Sequence, residues 1–297
     1  MAAIRRPVRV DGKKAAIIGG GPTGIAAAYF LGRAGIETTL FEREKSLGGV
    51  PRHVIPAFRI ADETIEKDIA LMERYGVEVR CGAPAPSVAE LKAQGYTHIL
   101  FAIGAWKPGE LGIPGDVAGA IQWMKGVKAG NIGVAGSIAV IGGGNTAVEE
   151  AVYLTGFASR VYLVHRRDTF RADSLAVERA LANPRIVPVM DSVLEAIEGS
   201  DVVERILVRN VRSGEQRRIP VSGVFIFIGT LPHTEFLEEG LLRTKEGGWI
   251  VTDESMRTSV PGIFAAGDVR DTPLRQVITA AGDGARAAMA AYGYLHG

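Results

Sequence analysis

Two runs of residues in this 297-residue chain could cradle a phosphorylated ligand, and they differ in the charge that follows them. The first, Gly19-Gly20-Gly21-Pro22-Thr23-Gly24, comes after the apolar run Ala15 to Ile18 and opens the Ala-rich stretch Ile25 to Leu31, an order that reads as strand, tight turn and helix. In that setting Gly19 permits the sharp turn, Gly21 lets backbone approach a pyrophosphate, and Gly24 lets helix pack on strand, with helix N-terminal N–H groups facing the anion. The next strand, Thr38 to Phe41, closes on Glu42. A carboxylate there accepts hydrogen bonds from ribose hydroxyls and repels a 2′-phosphate, which suits the adenosine of FAD or NAD. A glycine string alone is an ordinary turn; the flanking strand, helix and acid carry the nucleotide reading.

The second run, Gly142-Gly143-Gly144-Asn145-Thr146-Ala147, follows Ile138 to Ile141 and has Ala147 where the third glycine would stand. Its next strand, Val161 to Val164, ends in His165-Arg166-Arg167, with Arg171 four residues on. Guanidinium forks match phosphate oxygens, so this cluster favours NADPH over NADH; the alternative is a solvated charged face.

A third feature joins the halves. Val260 to Ala266 reads as a strand ending in Gly267-Asp268, and Leu274 to Tyr294 reads as an Ala-rich helix. An Asp at a strand end can bind a sugar-alcohol hydroxyl or simply cap the turn, and the helix start beyond it can face the electron-rich edge of a reduced flavin. The backbone amides of Gln276 and Val277 are expected at that edge. His53, near Gly48-Gly49, could exchange a proton near neutral pH or play a structural part. No His, Cys and Asp spacing suggests a metal site.

These strings carry a resemblance. Gly267-Asp268 with Arg275-Gln276-Val277 looks like the C-terminal FAD signature of the two-dinucleotide flavoprotein disulfide reductases. From Ala139 to Leu295 the chain is similar to bacterial thioredoxin reductase through GGGNTAVEEA, HRRDTFRA, FIFIGTLPHT and PGIFAAGDVRD. From Lys13 to about Asp116 it resembles the small subunit of glutamate synthase through GKKAAIIGGGPTG, LFEREKSLGGVPRHVIPAFRI and FAIGAWKP. The resemblance implies FAD on Gly19, Gly21, Pro22, Thr23, Gly24, Glu42, Arg43, Gly48, Gly49, Gly104, Gly267, Asp268, Arg275, Gln276 and Val277, with Asp268 on the ribityl chain. It implies NADPH on Gly142, Gly144, Asn145, Thr146, Ala147, His165, Arg166, Arg167, Arg171, Ile228 and Gly229. It also implies dimerisation through the FAD domain.

The chain has one cysteine, Cys81, in the expected strand Val77 to Cys81, where it is read as structural. An internal dithiol relay needs two thiols, and neither Gly126 to Gly133 nor Gly48 to His53, the places where the resembled reductases carry theirs, holds one. Iron–sulfur clusters need several thiolates each and are likewise not expected in this chain. The opening Arg5-Arg6-Pro7-Val8-Arg9-Val10 resembles the end of the connection from the cluster-bearing segment of glutamate synthase. The expected activity is NADPH-dependent reduction of FAD followed by transfer to an external acceptor, with ferredoxin or another iron–sulfur protein or subunit preferred. Small acceptors (quinone, an external disulfide, oxygen) and a non-catalytic flavin or nucleotide module stand as alternatives.

The elements that must position these residues make an α/β chain of two Rossmann-like three-layer nucleotide-binding domains. The βαβ unit from Lys14 to about Glu44 starts again at Ser137 to His165, an internal duplication. Gly/Pro-rich passages at Gly109 to Gly115 and Gly229 to Phe236 read as paired connections, giving an FAD domain at 1–109 and 231–297 with an NADPH domain inserted at 110–230. Between the glycine loops, Asp62 to Tyr75 reads as a helix and Ile99 to Ile103 as a buried strand. A formal charge of +1 offers nucleic acid no long-range attraction, and no apolar run approaches the roughly 18 residues of a membrane span. The expected address is the cytoplasm.

Overall fold

The computed structural model describes residues 7–55, 60–108, 112–113, 136–200 and 202–296. Of the sequence features above, Arg5-Arg6, the Gly126 to Gly133 segment and all but residues 112 and 113 of the Gly109 to Gly115 connection lie outside the described residues. The chain divides into two compact units, Met1–Lys107 with Leu231–Gly297, and Pro108–Thr230.

In chain order the first unit supplies β1 (Lys14–Ile18), α1 (Pro22–Arg33), β2 (Glu37–Glu42), α2 (Gly49–His53), α3 (Asp62–Glu73), β3 (Glu78–Cys81), α4 (Val88–Ala93) and β4 (His98–Phe101). The chain leaves it at β5 (Lys107–Pro108). The second unit holds β6 (Ser137–Ile141), α5 (Asn145–Leu154), β7 (Arg160–Val164), α6 (Ser174–Ala182), β8 (Ile186–Val189), β9 (Ser192–Glu198), β10 (Arg205–Asn210), β11 (Gln216–Pro220) and β12 (Val224–Ile226). After β13 (Thr230–Leu231) the first unit is completed by β14 (Ile263–Ala265), a single 3-10 turn at Gly267–Val269 and α7 (Val277–His296).

The first unit's five strands run parallel in the order β14-β4-β1-β2-β3. Side chains alternate across a strand, and β1 shows the consequence. Ala15 and Ile17 enter one core with Ala27, Ala28 and Leu31 of α1 and Ala287 and Ala291 of α7. Ala16 and Ile18 enter another with Leu91 of α4, Ile99, Phe101, Ile250 and Ile263. The layers on the first face lie close, since a Cβ on Gly284 of α7 would meet the Thr23 carbonyl oxygen of α1 at 2.2 Å.

The second unit repeats the plan with four parallel strands, β12-β6-β7-β8. Ile138 and Val140 pack on Val148, Ala151 and Leu154 of α5 and Ala180 of α6. Ala139 and Ile141 pack on Leu194, Ile206, Val208 and Ile219 of the antiparallel sheet β11-β10-β9, which forms the third layer.

Two expectations change. The strand read from Val260 begins only at Ile263, because Val260 to Gly262 turn, with the Ile263 N–H donating to the Val260 carbonyl at 3.1 Å. Cys81, read as structural, is exposed, because β3 is the edge strand of its sheet.

Both glycine loops are built by the same backbone bonds. Gly19 N–H donates to Phe41 O (2.8 Å) and Ala102 N–H to Ile18 O (2.8 Å); Gly142 N–H donates to Val164 O (3.0 Å) and Phe227 N–H to Ile141 O (2.7 Å). Gly19 (φ +107°) and Gly142 (φ +150°) occupy backbone space that glycine fills freely. A Cβ on Gly24 would fall 1.9 Å from the Gly19 carbonyl oxygen, whereas in the second unit Ala147 itself is accommodated and fully buried. Gly24→Ala is therefore expected to destabilise the first unit by about 1–3 kcal/mol through overpacking and to lower its cofactor content. Ala147→Gly should cost about 1–2 kcal/mol, from helix propensity and the loss of a buried methyl, and leave the first unit's cofactor content in place. Urea titrations and cofactor content of the two variants check this, and a Gly24→Ala protein that keeps its full cofactor content would count against the close approach at Gly24.

Candidate functional site

In both sheets the strand order reverses beside the strand that feeds the glycine loop, β1 between β2 and β4 and β6 between β7 and β12, which opens a crevice at the strands' carboxyl ends. α1 starts at Pro22 behind Gly21 and α5 at Asn145 behind Gly144; neither N-terminus has a side-chain cap or an acid in its first turn. Each presents free N–H donors and the positive end of a helix dipole to whatever occupies the crevice.

In the first unit Glu42 is buried and its two oxygens are used by backbone: Oε2 accepts from Gly20 N–H at 2.7 Å and Oε1 from Glu44 N–H at 2.8 Å. The carboxylate thus fixes the loop while its remaining lone pairs stay available to a ribose. Gly48 and Gly49 close the other side. Both have positive φ (+121° and +57°), and a Cβ on Gly49 would stand 2.8 Å from Gly21 Cα, so two backbones face each other without side chains between them.

The Gly267-Asp268 turn reaches this cradle from the other end of the chain. A Cβ on Gly267 (φ +74°) would meet Thr23 Oγ1 at 2.2 Å. The turn is anchored by Asp283 of α7, which accepts from Arg270 (2.6 Å) and from Gly267 N–H (3.3 Å). Burial raises the Asp268 pKa, opposed by the charge of Arg275 and reinforced by that of Asp283. Among the described residues no side chain hydrogen-bonds the Asp268 carboxylate, which leaves it to accept from a ligand hydroxyl. Arg275 is held with its guanidinium 3.7 Å over the Trp249 ring. The Gln276 amide, expected to face a ligand, instead donates to Thr279 Oγ1 (3.1 Å); Val277, the first residue of α7, remains at the helix N-terminus. His53 pairs its Nε2 with the Ser46 carbonyl (3.1 Å), and its ring lies 6.5 Å from that of Trp106. Arg43 lies over the same Trp106 ring (5.8 Å), beside Gly104. Trp106 belongs to the FAIGAWKP string, but neither it nor Trp249 is singled out by the sequence.

In the second unit His165 ends β7 where Glu42 ends β2. It is buried under the loop: a Cβ on Gly143 would be 2.3 Å from its Nδ1, and its ring stacks on Phe170 at 5.6 Å. It forms the floor of the cradle rather than an exposed contact. Burial pushes its pKa below the ordinary 6.5, with the charges of Arg171, Arg167 and Arg166 acting the same way and a backbone hydrogen bond to Thr169 opposing. Arg171 N–H donates to the Gly143 carbonyl (2.7 Å), tying the cationic loop to the glycine loop. Arg166, Arg167 and Arg171 are exposed, and among the described residues none has an acidic partner. The Asn145 side chain is spent on Asp173, donating to its carboxylate (2.7 Å) and accepting from its N–H (2.8 Å). Thr146 is exposed, while Ile228 and Gly229, just past β12, lie at the open mouth with nothing within 4 Å of a Cβ on Gly229.

Residues 13–284 match the family described as pyridine nucleotide-disulphide oxidoreductase. The chain belongs to that family. It is similar to a thioredoxin reductase of Streptomyces coelicolor, 36% identical over 309 residues that cover 96% of this chain and 94% of the relative. It is similar to a thioredoxin reductase of Treponema pallidum at 35% identity, covering 94% of this chain and 96% of the relative. Its fold matches the crystal structure of Lactococcus lactis thioredoxin reductase with a TM-score of 0.78 at 32% identity, over 96% of this chain and 99% of that one. This member of the family is an NADPH-dependent flavoprotein oxidoreductase with FAD and NADPH as cofactors, acting on an external acceptor.

The comparisons correct the expected acceptor. An iron–sulfur protein is preferred on the sequence because the chain holds no second redox centre, yet the likeness to thioredoxin reductases runs nearly the full length, including the part read as glutamate synthase-like, and points to thioredoxin chemistry instead. Among the described residues no cluster of His, Cys, Asp or Glu could hold a metal, and no helix is long and apolar enough to cross a membrane.

Two outcomes follow from the electrostatics. A His165 pKa held below 6.5 in the folded chain means that the unfolded chain binds the extra proton, so stability is full above about pH 6.5 and drains away as pH falls through the depressed folded value. His98, lowered by burial and then by Lys13, adds to the same loss. Urea titrations followed by circular dichroism between pH 8 and 5 should show it, with a shallower slope for His165→Asn; an unchanged slope would contradict a buried neutral imidazole. Separately, Arg166→Ala with Arg167→Ala should raise the KM for NADPH and spare that for NADH, by about 1.5–3 kcal/mol or roughly ten- to hundredfold. Steady-state kinetics with both coenzymes would show whether the cluster reads the 2′-phosphate.

Proposed function

We propose that this chain oxidises NADPH and, through FAD, reduces the disulfide of a thioredoxin-type protein. The observation that carries this reading is the likeness to thioredoxin reductases over nearly the whole of both partners' lengths. FAD is assigned to the first unit, on Glu42, the Gly19 to Gly24 loop, Gly48-Gly49 and Asp268. NADPH is assigned to the second, on the Gly142 to Ala147 loop and the cluster Arg166, Arg167 and Arg171. When bound, FAD takes a hydride from NADPH and yields two electrons to a disulfide.

The chain's own residues bind and orient. The uncapped starts of α1 and α5 hold pyrophosphates, Asp268 accepts from a ribityl hydroxyl, and the start of α7 directs its dipole at negative charge developing on the ring. Cys81 is the sole thiol in the sequence, and it stands on an edge strand. Dithiol exchange requires two sulfurs, so the pair that is reduced belongs to the acceptor. The balance is one NADPH and one proton consumed per disulfide opened to two thiols. The same likeness supports a homodimer and a cytoplasmic setting.

The test is anaerobic NADPH oxidation by the FAD-loaded protein in the presence of oxidised thioredoxin, with thiols counted by a chromogenic disulfide. Thiols should appear in proportion to NADPH consumed, and Cys81→Ser should leave the rate unchanged. NADPH consumption with no thioredoxin thiols formed would overturn the acceptor, and loss of turnover in Cys81→Ser would overturn the assignment of both sulfurs to it.

A further inference from the structure

The segment from His165 to Arg171 holds three exposed guanidinium groups and one carboxylate, Asp168, directly next to Arg167 in the chain. An acid there would be expected to neutralise the cluster or to repel a phosphate drawn to it. The structure engages it elsewhere. Arg212, on the turn between β10 and β11, donates from Nη2 to Asp168 Oδ2 at 2.5 Å and lies with Nε 2.9 Å from Asp191 Oδ1. One guanidinium therefore engages both the acid inside the segment and the acid whose backbone is tied to Arg167.

The arrangement is built rather than incidental. Asp191 sits at φ +48°, in the left-handed region that Asp enters more readily than most side chains. Its N–H donates to the Arg167 carbonyl (3.1 Å) and its carbonyl accepts from Val211 N–H (2.6 Å), so it staples the cationic loop to the turn that carries Arg212. Asn210 shapes that turn, its Oδ1 accepting from the N–H groups of Arg212 and Ser213 at 2.9 Å each. The guanidinium beside Asp168 holds that carboxyl below the usual carboxylate range, first through the hydrogen bond and then through charge.

We propose that Arg212 is a positioning residue for coenzyme choice: by engaging Asp168 and Asp191 it leaves Arg166, Arg167 and Arg171 uncompensated for a ligand's 2′-phosphate. Arg212 itself, engaged by two acids, is assigned no direct contact with the coenzyme. This rests on the assignment of the Arg166, Arg167 and Arg171 cluster to the NADPH 2′-phosphate.

The test compares Arg212→Gln, Asp168→Asn, the double variant and the Arg166→Ala/Arg167→Ala variant. Flavin bleaching by NADPH and by NADH after anaerobic mixing gives affinities without any acceptor, and calorimetry with adenosine 2′,5′-bisphosphate against AMP gives them without flavin chemistry. Releasing a carboxylate beside a dianionic phosphate should weaken NADPH and the bisphosphate about three- to tenfold in Arg212→Gln and leave NADH and AMP unchanged. The loss should shrink at 1 M salt, where the Debye length is about 3 Å. Adding Asp168→Asn should recover most of it, with Asp191 accounting for the remainder.

Arg212→Gln weakening both coenzymes alike, or no recovery in the double variant, would overturn the role of Arg212 while the cluster variant still loses NADPH selectively. If the cluster variant keeps its NADPH preference, the 2′-phosphate assignment fails and the role of Arg212 fails with it.

Discussion

Each unit depends on backbone packed directly against backbone where its first parallel strand ends. A Cβ on Gly19 would stand 2.4 Å from the Ala102 carbonyl oxygen, and one on Gly142 would stand 2.5 Å from that of Phe227. No side chain fits, so the chain turns within the thickness of the sheet and the helix begins three residues later with its first N–H groups over the crevice. The same tightness presses the second residue of each loop onto the end of the neighbouring strand, Gly20 onto Glu42 and Gly143 onto His165. One strand-end position thereby decides the charge that a ligand meets.

That position carries the difference between the units. Glu42 is a buried carboxylate kept in place by two backbone N–H groups. His165 is a buried imidazole that stays neutral, and the charge has moved outward to the arginines after it. A neutral floor with exposed cations around it admits a phosphate from solvent; a carboxylate at the same place excludes one. A duplicated fold unit could thus come to hold two different dinucleotides, FAD and NADPH in this family, without any change in strand order.

The glycine loops, the alternating strands and the turn at Gly267 could be read in the sequence because each is a local constraint with a short period. What escaped was tertiary. Arg212 lies 44 residues from Asp168, and nothing in its own surroundings announces a partner. His165 was read from its type as a contact, but its burial comes from Gly143 and Phe170 closing over it. The strand read from Val260 starts only at Ile263, beyond the Pro261-Gly262 turn. The acceptor was inferred from missing thiols, and that reasoning fails physically: cofactor cradles fix how electrons enter, whereas the partner is chosen by surfaces that a cysteine count does not describe.

Unmet polar groups show where the fold gives up stability for a ligand. Arg275 Nε in the first unit and His165 Nε2 in the second are buried without a hydrogen-bond partner among the described residues. Asp268 is partly buried with no hydrogen-bonded side-chain partner among them. A buried group left unsatisfied costs about 1–3 kcal/mol, so each of these two nitrogen atoms is a deficit for its unit. His165 lies under the glycine loop of the second unit, and Arg275 acts on Asp268 of the turn packed against the loop of the first. The helix starts beside them are uncapped as well, although the same chain caps α4 fully with Ser87 and Glu90. An anion at the starts of α1 and α5 would supply the acceptors that their N–H groups lack, which ties the local deficits of both units to the binding of their cofactors.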